Sequence, residues 1–486
     1  MSYHLLTGAT GLLGRYLLKD LLLAGVPVAV LVRPTRRASV RQRVESLMCY
    51  WDNLLGKPLP RPVVLEGDIS EPGLGLDANA RDWVKAHCSA MIHNAASLTF
   101  HSTGPEAEPW RSNVHGTRHV LDLCRDTGIR KFHHVSTAYT CGLRHGTVYE
   151  TELDVGQELG NDYEQSKVMA EKMVREADFI DPPTVYRPSI IIGDSKTGFT
   201  NTFHGFYAPL QIVHTICKLQ GTNETGLLQA LARLALDGYE SKNLVPVDWV
   251  SEASTHILTH PELHGETYHL VPQHAVPVRL VRDILEEAAK FYAVRLEGAG
   301  TKLENMTDGE QVFYEHMTVY NSYWRDDPIF DTTNIRRAAP HLPCPHVDYK
   351  MLMFLANWAV KDNFGGVRVK PVEPDFDAYT HLQPLMKPAS SFKQAERVLG
   401  LQVDGHGGGQ WHVVLQNGRP VSVDMGVAAS CSAVYQLDVD TFASLARGQV
   451  TADQAFANGR LEIRGNGLSK PELLGVLQQV AAVAAE

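Results

Sequence analysis

A glycine-rich stretch near the N-terminus constrains the fold more strongly than any other part of this chain. Residues 3–7 are largely apolar, three glycines follow at three-residue intervals, and residues 12–23 carry apolar side chains at helical spacing. Glycines in such a turn let the backbone approach a phosphate, and the free amides of the following helix favour its negative charge. The pattern predicts a strand, a dinucleotide-binding loop and a helix, although an ordinary glycine-rich turn fits the same residues. The predicted contacts to the dinucleotide are Gly8, Thr10, Gly11, Leu12, Leu13 and Gly14.

Short apolar segments and helical segments alternate beyond this loop. Strands are predicted at residues 27–32, 62–65, 89–93 and 131–136, and a helix from about residue 106 to residue 127. This alternation predicts an α/β fold with a Rossmann-type, doubly wound parallel sheet. In such a sheet the ligand lies outside the carboxyl ends of the strands, so the residues that follow each strand are the candidate site residues.

Arginines follow the second predicted strand. Arg33 comes directly after it and Arg36 three residues later, with no Asp or Glu at the strand end. An acidic side chain at this place binds the ribose hydroxyl of NAD, whereas an arginine suits the additional phosphate of NADP. The sequence therefore favours NADPH over NADH, with a solvated basic helix start as the alternative.

Small and polar side chains follow the next two strands. Asp68 and Ile69 come after the third strand, where a carboxylate would accept a hydrogen bond from the adenine amino group. Asn94, Ala95 and Ala96 come after the fourth strand, where short side chains leave room for a sugar or a nicotinamide. Both segments are therefore predicted to contact the cofactor.

A tyrosine and a lysine four residues apart carry the predicted chemistry. Tyr163 and Lys167 share one face of a predicted helix, and Thr137 follows the strand at 131–136. An ammonium close to a phenol lowers the pKa of the phenol, which would let Tyr163 exchange a proton with a substrate oxygen near neutral pH. Thr137 would orient that oxygen. An incidental Tyr/Lys pair on a solvated helix is the alternative.

Several motifs in a fixed order make the N-terminal part resemble the extended short-chain dehydrogenase/reductase family. They are Thr7-Gly-Ala-Thr-Gly-Leu-Leu-Gly14, Gly67-Asp68, Asn94-Ala-Ala96, Ser136-Thr137, the Tyr163/Lys167 pair and Arg187-Pro-Ser189. The resemblance implies that Thr137, Tyr163 and Lys167 form the catalytic triad. Because the family often has serine at the first position, Ser136 is a second candidate there. The resemblance also implies that Asn113 supports the site from the preceding helix. It further implies that Arg187 and Pro188 flank the nicotinamide, with Ser189 beside them.

The run from Gly193 to Val250 resembles one branch of that family, the fatty acyl-CoA reductases and thioester reductases of the male sterility type. The resemblance implies hydride transfer from NADPH to an acyl thioester on coenzyme A or on an acyl or peptidyl carrier protein. The product is an aldehyde, in some cases reduced again to the alcohol. Two alternatives stay open: an NAD(P)-dependent hydroxysteroid or lipid alcohol dehydrogenase, and a lipid-binding protein on a non-catalytic dehydrogenase scaffold. Candidates for an acyl channel, or for core packing, are Phe313, Tyr314, Tyr320, Tyr323 and Trp324.

A change of composition divides the chain. Gly365-Gly366 and the prolines at 371 and 374 predict a linker between a reductase domain with its substrate lobe at residues 1–366 and a small α+β domain at residues 376–486. Two segments, 440–449 and 455–465, resemble the sterol carrier protein family. This resemblance implies a domain that holds a lipid, presents substrate or forms a dimer, and a filled structural core is the alternative.

Composition argues against several other classes of protein. Charged residues make up 21% of the chain and the net charge is −10, which gives no support for binding nucleic acid. No apolar run approaches the roughly 18–20 residues that span a bilayer, and no signal sequence precedes the first strand. We therefore expect a cytoplasmic protein without a transmembrane segment, and a homodimer is compatible with the sequence. The seven cysteines are scattered and never form CxxC, so neither a disulfide framework nor a metal site is predicted.

Overall fold

Two sheets organise this chain, a parallel one in the N-terminal part and a mixed one in the C-terminal part. The computed structural model describes residues 2–220, 238–289, 318–323, 325–366, 373–386, 397–465 and 469–482. The expected fold class is confirmed: an α/β protein with a Rossmann-type sheet is followed by a small α+β domain. Within the described ranges, no helix is long and apolar enough to cross a membrane.

The parallel sheet is built from strands of the N-terminal part. The strands there are β1 (Tyr3–Thr7), β2 (Val28–Val32), β3 (Val63–Glu66), β4 (Cys88–His93), β5 (Lys131–Val135), β6 (Thr147–Val148), β7 (Thr184–Pro188), β8 (Ile190–Ile192), β9 (Ser241–Lys242), β10 (Leu244–Pro246), β11 (Thr267–Leu270), β12 (Val276–Pro277) and β13 (Ile329–Phe330). Seven of them pair in the order β3-β2-β1-β4-β5-β7-β11. The strand order reverses between β1 and β4, which is the point where doubly wound sheets bind ligands.

Helices cover both faces of this sheet. The helices of the N-terminal part are α1 (Leu12–Leu23), α2 (Val40–Leu55), α3 (Ala78–His87), α4 (Gly116–Thr127), α5 (Asp162–Glu176), α6 (Ala208–Gln220), α7 (Val247–Thr259), α8 (Val278–Ala289), α9 (Thr333–Ala338) and α10 (Tyr349–Lys361). Leu6 packs with α1, α2 and α7 on one face, and Leu5 packs with α3 and α4 on the other. Neighbouring side chains of a strand point to opposite faces, so β1 is buried on both of its faces.

One predicted helix is shorter than expected. The sequence predicts a helix from about residue 106, but α4 begins at Gly116. A π-helical turn (Arg111–His115) precedes it, and Pro109, which has no N–H to donate, lies before that turn.

A substrate lobe lies beside the sheet. It contains the two-stranded pairs β8–β10, β9–β12 and β6–β13, and a separate apolar core to which α6, α8 and α10 contribute. The sequence of this lobe predicts two helices, at residues 283–292 and 349–361. The second is confirmed as α10, and the first corresponds to α8, although its residues 290–292 lie outside the described residues.

The C-terminal domain has a mixed sheet covered by helices. Its strands are β14 (Arg397–Asp404), β15 (Gly409–Gln416), β16 (Arg419–Met425), β17 (Ala433–Asp438) and β18 (Leu461–Gly465), and its helices are α11 (Ala378–Leu382), α12 (Val439–Ala446), α13 (Ala452–Ala457) and α14 (Lys470–Ala482). The strand order is β16-β15-β14-β17-β18. Asn417 and Gly418, with φ of 51° and 72°, form the tight turn between β15 and β16. Residues 367–372 of the predicted linker lie outside the described residues, so the domain boundaries stay predictions.

The two domains are joined by specific hydrogen bonds at the amino end of β1. The Tyr3 hydroxyl donates to Gln410 Oε1 at 2.6 Å and accepts from the Val427 amide at 2.7 Å. The Trp83 indole donates to the Met425 carbonyl at 2.7 Å. These contacts lie at the end of the sheet opposite to the carboxyl ends of the strands.

Candidate active site

A cavity of about 650 Å³ lies at the carboxyl ends of β1, β2, β4 and β5, next to the point where the strand order reverses. Most of the predicted site residues line it. They are Gly8, Thr10, Gly11, Leu12, Leu13, Arg33, Asp68, Ile69, Asn94, Ala95, Ala96, Thr137, Tyr163, Lys167, Pro188 and Ser189. Gly14, Arg36, Asn113 and Arg187 do not line the cavity.

The glycine loop is packed so tightly that two of its positions exclude a side chain. A Cβ at Gly8, whose φ is +72°, would lie 2.7 Å from the Ala95 amide nitrogen. A Cβ at Gly14 would lie 2.0 Å from the Gly8 carbonyl oxygen, so this glycine packs α1 against the loop instead of facing the cavity. Helix α1 has no side-chain cap at its start. Its first amides are therefore available to a phosphate, and the loop fits a dinucleotide.

Polar contacts tie the glycine loop to the segment after β4. The Thr7 hydroxyl accepts hydrogen bonds from the amides of Asn94 and Ala95, both at 3.1 Å. The Asn94 side chain donates to the Gly8 carbonyl at 3.2 Å. Asn94 therefore has a structural role in holding the loop while its segment lines the cavity.

Basic side chains lie at the end of the cavity that follows β2. Arg33 is exposed and 3.9 Å from the Asp68 carboxylate. Arg43, which the sequence analysis missed, also lines the cavity and donates to the Arg33 carbonyl at 2.5 Å and to the Thr10 hydroxyl at 2.9 Å. Arg36 is exposed and outside the wall, because the chain turns away into solvent before α2. The available signal for Arg43 was its place in the first turn of the helix that follows β2.

The predicted triad residues come together at the middle of the cavity. Thr137 follows β5 directly, and Tyr163 and Lys167 lie on α5, whose start is capped by the Asn161 side chain. The Thr137 side chain lies close enough to the Tyr163 phenol to lower its pKa, and the Thr137 hydroxyl donates to the Pro188 carbonyl at 3.4 Å. Ser136 also lines the cavity, but its buried hydroxyl has no hydrogen-bond partner among the described residues, and it lowers the pKa of Glu171 and not that of Tyr163. The geometry therefore favours Thr137 over Ser136 as the partner of Tyr163.

The expected lowering of the pKa of Tyr163 is wrong. Burial raises the pKa of Tyr163 to about 12, and the Thr137 side chain offsets only part of this effect. The Lys167 ammonium donates a hydrogen bond to the Val135 carbonyl at 2.8 Å, and burial lowers the pKa of this lysine to about 8. The phenol is therefore protonated at neutral pH, as is most of the lysine.

Arg187 occupies a buried ion pair and not the cavity wall. Its guanidinium donates to the two carboxylate oxygens of Glu171 at 2.6 and 3.0 Å and to the Glu152 carbonyl at 2.7 Å. Burial opposes ionisation of Glu171, but Arg187 and Arg175 together lower the pKa of its carboxyl to about 2. The expectation that Arg187 flanks the nicotinamide is therefore not met, because these partners hold the side chain away from the cavity.

Asn113 supports the site from one layer behind the wall. In the π-helical turn before α4, its side chain donates to the Ser97 carbonyl at 3.1 Å and to the Ser166 hydroxyl at 2.9 Å. Its Oδ1 accepts from the Ser97 amide at 2.7 Å. Asn113 thus ties the segment after β4 to α5 and has no place in the wall itself.

Aromatic side chains form the end of the cavity beyond Tyr163. The Phe100 ring centroid is 5.8 Å from that of Tyr163, 5.3 Å from that of Tyr320 and 5.4 Å from that of Tyr323. His204 contacts the Tyr320 hydroxyl at 3.1 Å. Of the aromatic residues suggested for an acyl channel, Tyr320 and Tyr323 line this cavity, and Phe313, Tyr314 and Trp324 lie outside the described residues.

A second cluster of polar side chains lies between the domains. Glu45, Cys49 and His406 bring atoms that could ligate a metal within 4.8 Å of one another. Arg61 already donates to the Glu45 carboxylate at 2.7 Å. This pairing opposes a second cation there, and the absence of a metal site stays a prediction.

The sheet order, the glycine loop and the Thr-Tyr-Lys arrangement define the short-chain dehydrogenase/reductase class of nicotinamide-dependent proteins. The chain belongs to the Male sterility protein family, whose model of an NAD-binding domain matches residues 6–254. Residues 380–469 match the SCP-2 sterol transfer family, which agrees with the expected sterol carrier-like domain.

Curated relatives and solved structures give the same assignment. A 204-residue segment is 34% identical to part of the linear gramicidin synthase of Brevibacillus parabrevis, covering 40% of this chain and 4% of that protein. The fatty acyl-CoA reductase wat of Drosophila melanogaster is 26% identical over 50% of this chain and 51% of its own. The terminal R domain of the myxalamid PKS-NRPS pathway is 27% identical, with a TM-score of 0.61 over 77% of this chain and 93% of its own. The chain spans about half the length, or less, of the curated relatives that it matches.

Proposed function

We propose that this protein reduces an acyl thioester to an aldehyde with NADPH, and that any further reduction to the alcohol takes place at the same site. The observation that carries this proposal is the half-buried Tyr163 side chain, which lines the cavity together with Thr137 and Lys167. It lies between a loop that fits a dinucleotide and an aromatic wall that fits an apolar acyl group. The family assignment and the reductases among the relatives support the same reaction.

The residues of this site suffice for the proton chemistry of thioester reduction. When bound, the reduced nicotinamide supplies the hydride for the carbonyl carbon. Tyr163 donates its proton to the oxygen as negative charge develops there, and Thr137 donates a hydrogen bond to the same oxygen. The proton then returns to Tyr163 while the carbon–sulfur bond breaks, which releases the aldehyde and a thiolate that takes a proton from water. The Lys167 ammonium, held at the Val135 carbonyl, supplies positive charge in the same wall.

A protonated phenol is the form that a reduction requires at its start, whereas an alcohol oxidation requires the phenolate. Oxidation of a hydroxysteroid or lipid alcohol requires a base, and a phenolate is that base only if the pKa of Tyr163 is low. The pKa of about 12 instead keeps the phenol in the form that donates a proton to a substrate oxygen. An alcohol dehydrogenase is therefore the second candidate, and a non-catalytic lipid-binding protein the third.

NADPH is the proposed cofactor because two arginines line the cavity after β2. Arg33 and Arg43 both line the cavity beside the glycine loop, where the adenine ribose of a bound dinucleotide would lie. Guanidinium groups bind a phosphate through charge-assisted hydrogen bonds. NADPH carries such a phosphate on its adenine ribose, and NADH does not. The partly exposed Asp68 carboxylate, which lies close to Arg33, is proposed to accept a hydrogen bond from the adenine amino group.

The remaining assignments are proposals of the same kind. The thiol carrier is coenzyme A or an acyl or peptidyl carrier protein, and thiolation and peptide synthetase proteins among the relatives support the second option. The SCP-2-like domain is proposed to bind lipid or to present the acyl chain. A cytoplasmic location and a homodimer stay predictions.

Product analysis tests this function. The protein is incubated with NADPH and an acyl-CoA, an acyl carrier thioester or a ketosteroid, and NADPH oxidation, free thiol and aldehyde are measured together. We expect one thiol and one aldehyde for each NADPH consumed with a thioester. Turnover with the ketosteroid alone would support the dehydrogenase alternative, and no turnover with any substrate would support the lipid-binding scaffold.

A further inference from the structure

The first turn of α2 connects the C-terminal domain to the cofactor end of the cavity. In this turn, residue 41 contacts Asp377 of the C-terminal domain, residue 42 contacts Glu373 in the linker just before that domain, and residue 43 lines the cavity. We infer that Asp377 and Glu373 are positioning residues, which hold this turn so that Arg43 meets the ribose phosphate of NADPH. The inference rests on the proposed use of NADPH.

Two side chains of the turn are held by the start of the C-terminal domain and by the linker just before it. Arg41 Nη2 donates to Asp377 Oδ1 at 2.8 Å, and its guanidinium carbon lies 3.9 Å from the centre of the Tyr379 ring. Gln42 Nε2 donates to Glu373 Oε1 at 2.7 Å. The other end of the Gln42 amide accepts from the Ser39 amide at 2.9 Å and closes the capping box of α2. The contact with the linker and the helix cap therefore share the Gln42 side chain.

The third side chain of the turn spans the two segments that hold the adenosine. Arg43 donates to the Arg33 carbonyl at the end of β2 and to the Thr10 hydroxyl in the glycine loop. A small rotation of the turn would move its guanidinium away from both. The position of Arg43 therefore depends on what holds the neighbouring residues of the turn.

The positive charge of the first turn of α2 gives a reason why acidic residues from outside this helix should contact it. The positive end of a helix dipole disfavours cations in the first turn, and α2 has Arg41 and Arg43 near its start and no acidic residue in that turn. The carboxylates of Asp377 and Glu373 supply the missing negative charge. One turn later, Glu45 accepts from the Gly407 amide at 3.3 Å and pairs with Arg61 at 2.7 Å, which anchors the same face of α2.

The Asp377→Asn variant separates positioning from simple electrostatics. Asparagine can keep the cap of α11 through Oδ1, the oxygen that also accepts from Arg41, so the variant loses the charge of the pair with Arg41 while the domain keeps its fold. Removing a negative charge near an anion site would by itself strengthen the binding of NADPH. If Asp377 acts by holding Arg41, the variant binds NADPH about two- to fivefold more weakly, the range expected for a partly exposed ion pair. The Kd of NADH, which lacks the extra phosphate, should change much less.

The experiment is a titration of the full chain with NADPH and NADH, followed by nicotinamide fluorescence. Tyr3→Phe is the matched control, since it removes two hydrogen bonds between the domains at the opposite end of the sheet. We expect Tyr3→Phe to leave both Kd values unchanged. In an Arg41→Met background, Asp377→Asn should not weaken the binding of NADPH any further, because the two residues act through one contact.

Two outcomes would overturn the inference. An unchanged or tighter Kd for NADPH in Asp377→Asn would show that the contact does not position Arg43. An equal loss of affinity for NADPH and NADH would show that the contact between Asp377 and Arg41 only supports the fold. Failure of the native chain to bind NADPH would instead refute the proposed cofactor, so the two claims fail in different ways.

Discussion

The Arg187→Met variant should unfold more easily than the native chain, because it leaves a buried carboxylate without its principal partner. Glu171 is fully buried and accepts from Arg187 at 2.6 and 3.0 Å. Removing one member of a buried ion pair costs about 3–5 kcal/mol. Arg175 still donates to Glu171 at 2.7 Å in the variant, so we expect a cost near the lower end of that range.

Urea unfolding, followed by tryptophan fluorescence, measures this cost. With a slope of about 3 kcal/mol per molar urea, the midpoint of the transition should fall by about 1 M. Arg130→Met is the matched control: Arg130 and Asp181 form an exposed pair at 2.8 Å, and its loss should cost about 0.2–1 kcal/mol.

The pH dependence gives a second measure of the same pair. Because Arg187 helps to lower the pKa of Glu171 from 4.5 to about 2, its stabilisation is complete above about pH 4.5 and is lost as the pH falls towards about 2. The difference in free energy of unfolding between the native chain and the Arg187→Met variant should therefore become smaller as the pH falls from about 4.5 to about 2. A variant with the native urea midpoint and weaker cofactor binding would refute this reasoning and would favour a place for Arg187 beside the nicotinamide.

Two further predictions concern the cavity. The kcat/KM for the thioester should fall above about pH 8, because Lys167 loses its charge there while Tyr163 stays protonated; a profile that is flat up to about pH 9.5 would contradict the role of the lysine. Gly14→Ala should abolish measurable NADPH binding in a fluorescence titration, because its Cβ would lie 2.0 Å from the Gly8 carbonyl. Gly475→Ala, which meets nothing within 4 Å, is the control, and equal binding by both variants would show that the loop tolerates a methyl group.

Local patterns in the sequence predict the N-terminal fold closely because each strand and helix there carries its own signal. The predicted strand at residues 3–7 and helix at residues 12–23 have the observed bounds. The strand ends of a parallel sheet meet at one edge, so Asp68, Asn94 and Thr137 could be placed together without knowledge of their contacts. In the C-terminal domain the sequence predicts strands at residues 411–415, 434–437 and 461–464, which correspond to β15, β17 and β18. It does not predict β14 or β16, and the alternating pattern of β16 is only partly apolar.

The misplaced residues depend on contacts between distant segments. Arg187 follows the family motif, but Glu152, Glu171 and His269 surround its side chain and no local pattern reveals them. The pKa of Tyr163 depends on burial by the whole lobe, whereas the spacing to Lys167 suggested only a favourable charge. Arg43 was missed because its approach to the glycine loop depends on the path of α2 across the sheet.

The turnover of Tyr163→Phe tests the central claim most directly. The substitution removes the phenolic proton and leaves the ring against Phe100, so the cavity should keep its shape. With an acyl-CoA and NADPH, we expect aldehyde formation to fall by about 10²- to 10⁴-fold while the Kd of NADPH, measured by fluorescence, stays within about twofold of the native value. Aldehyde formation by Tyr163→Phe at the native rate would contradict the assignment of this phenol as the proton donor.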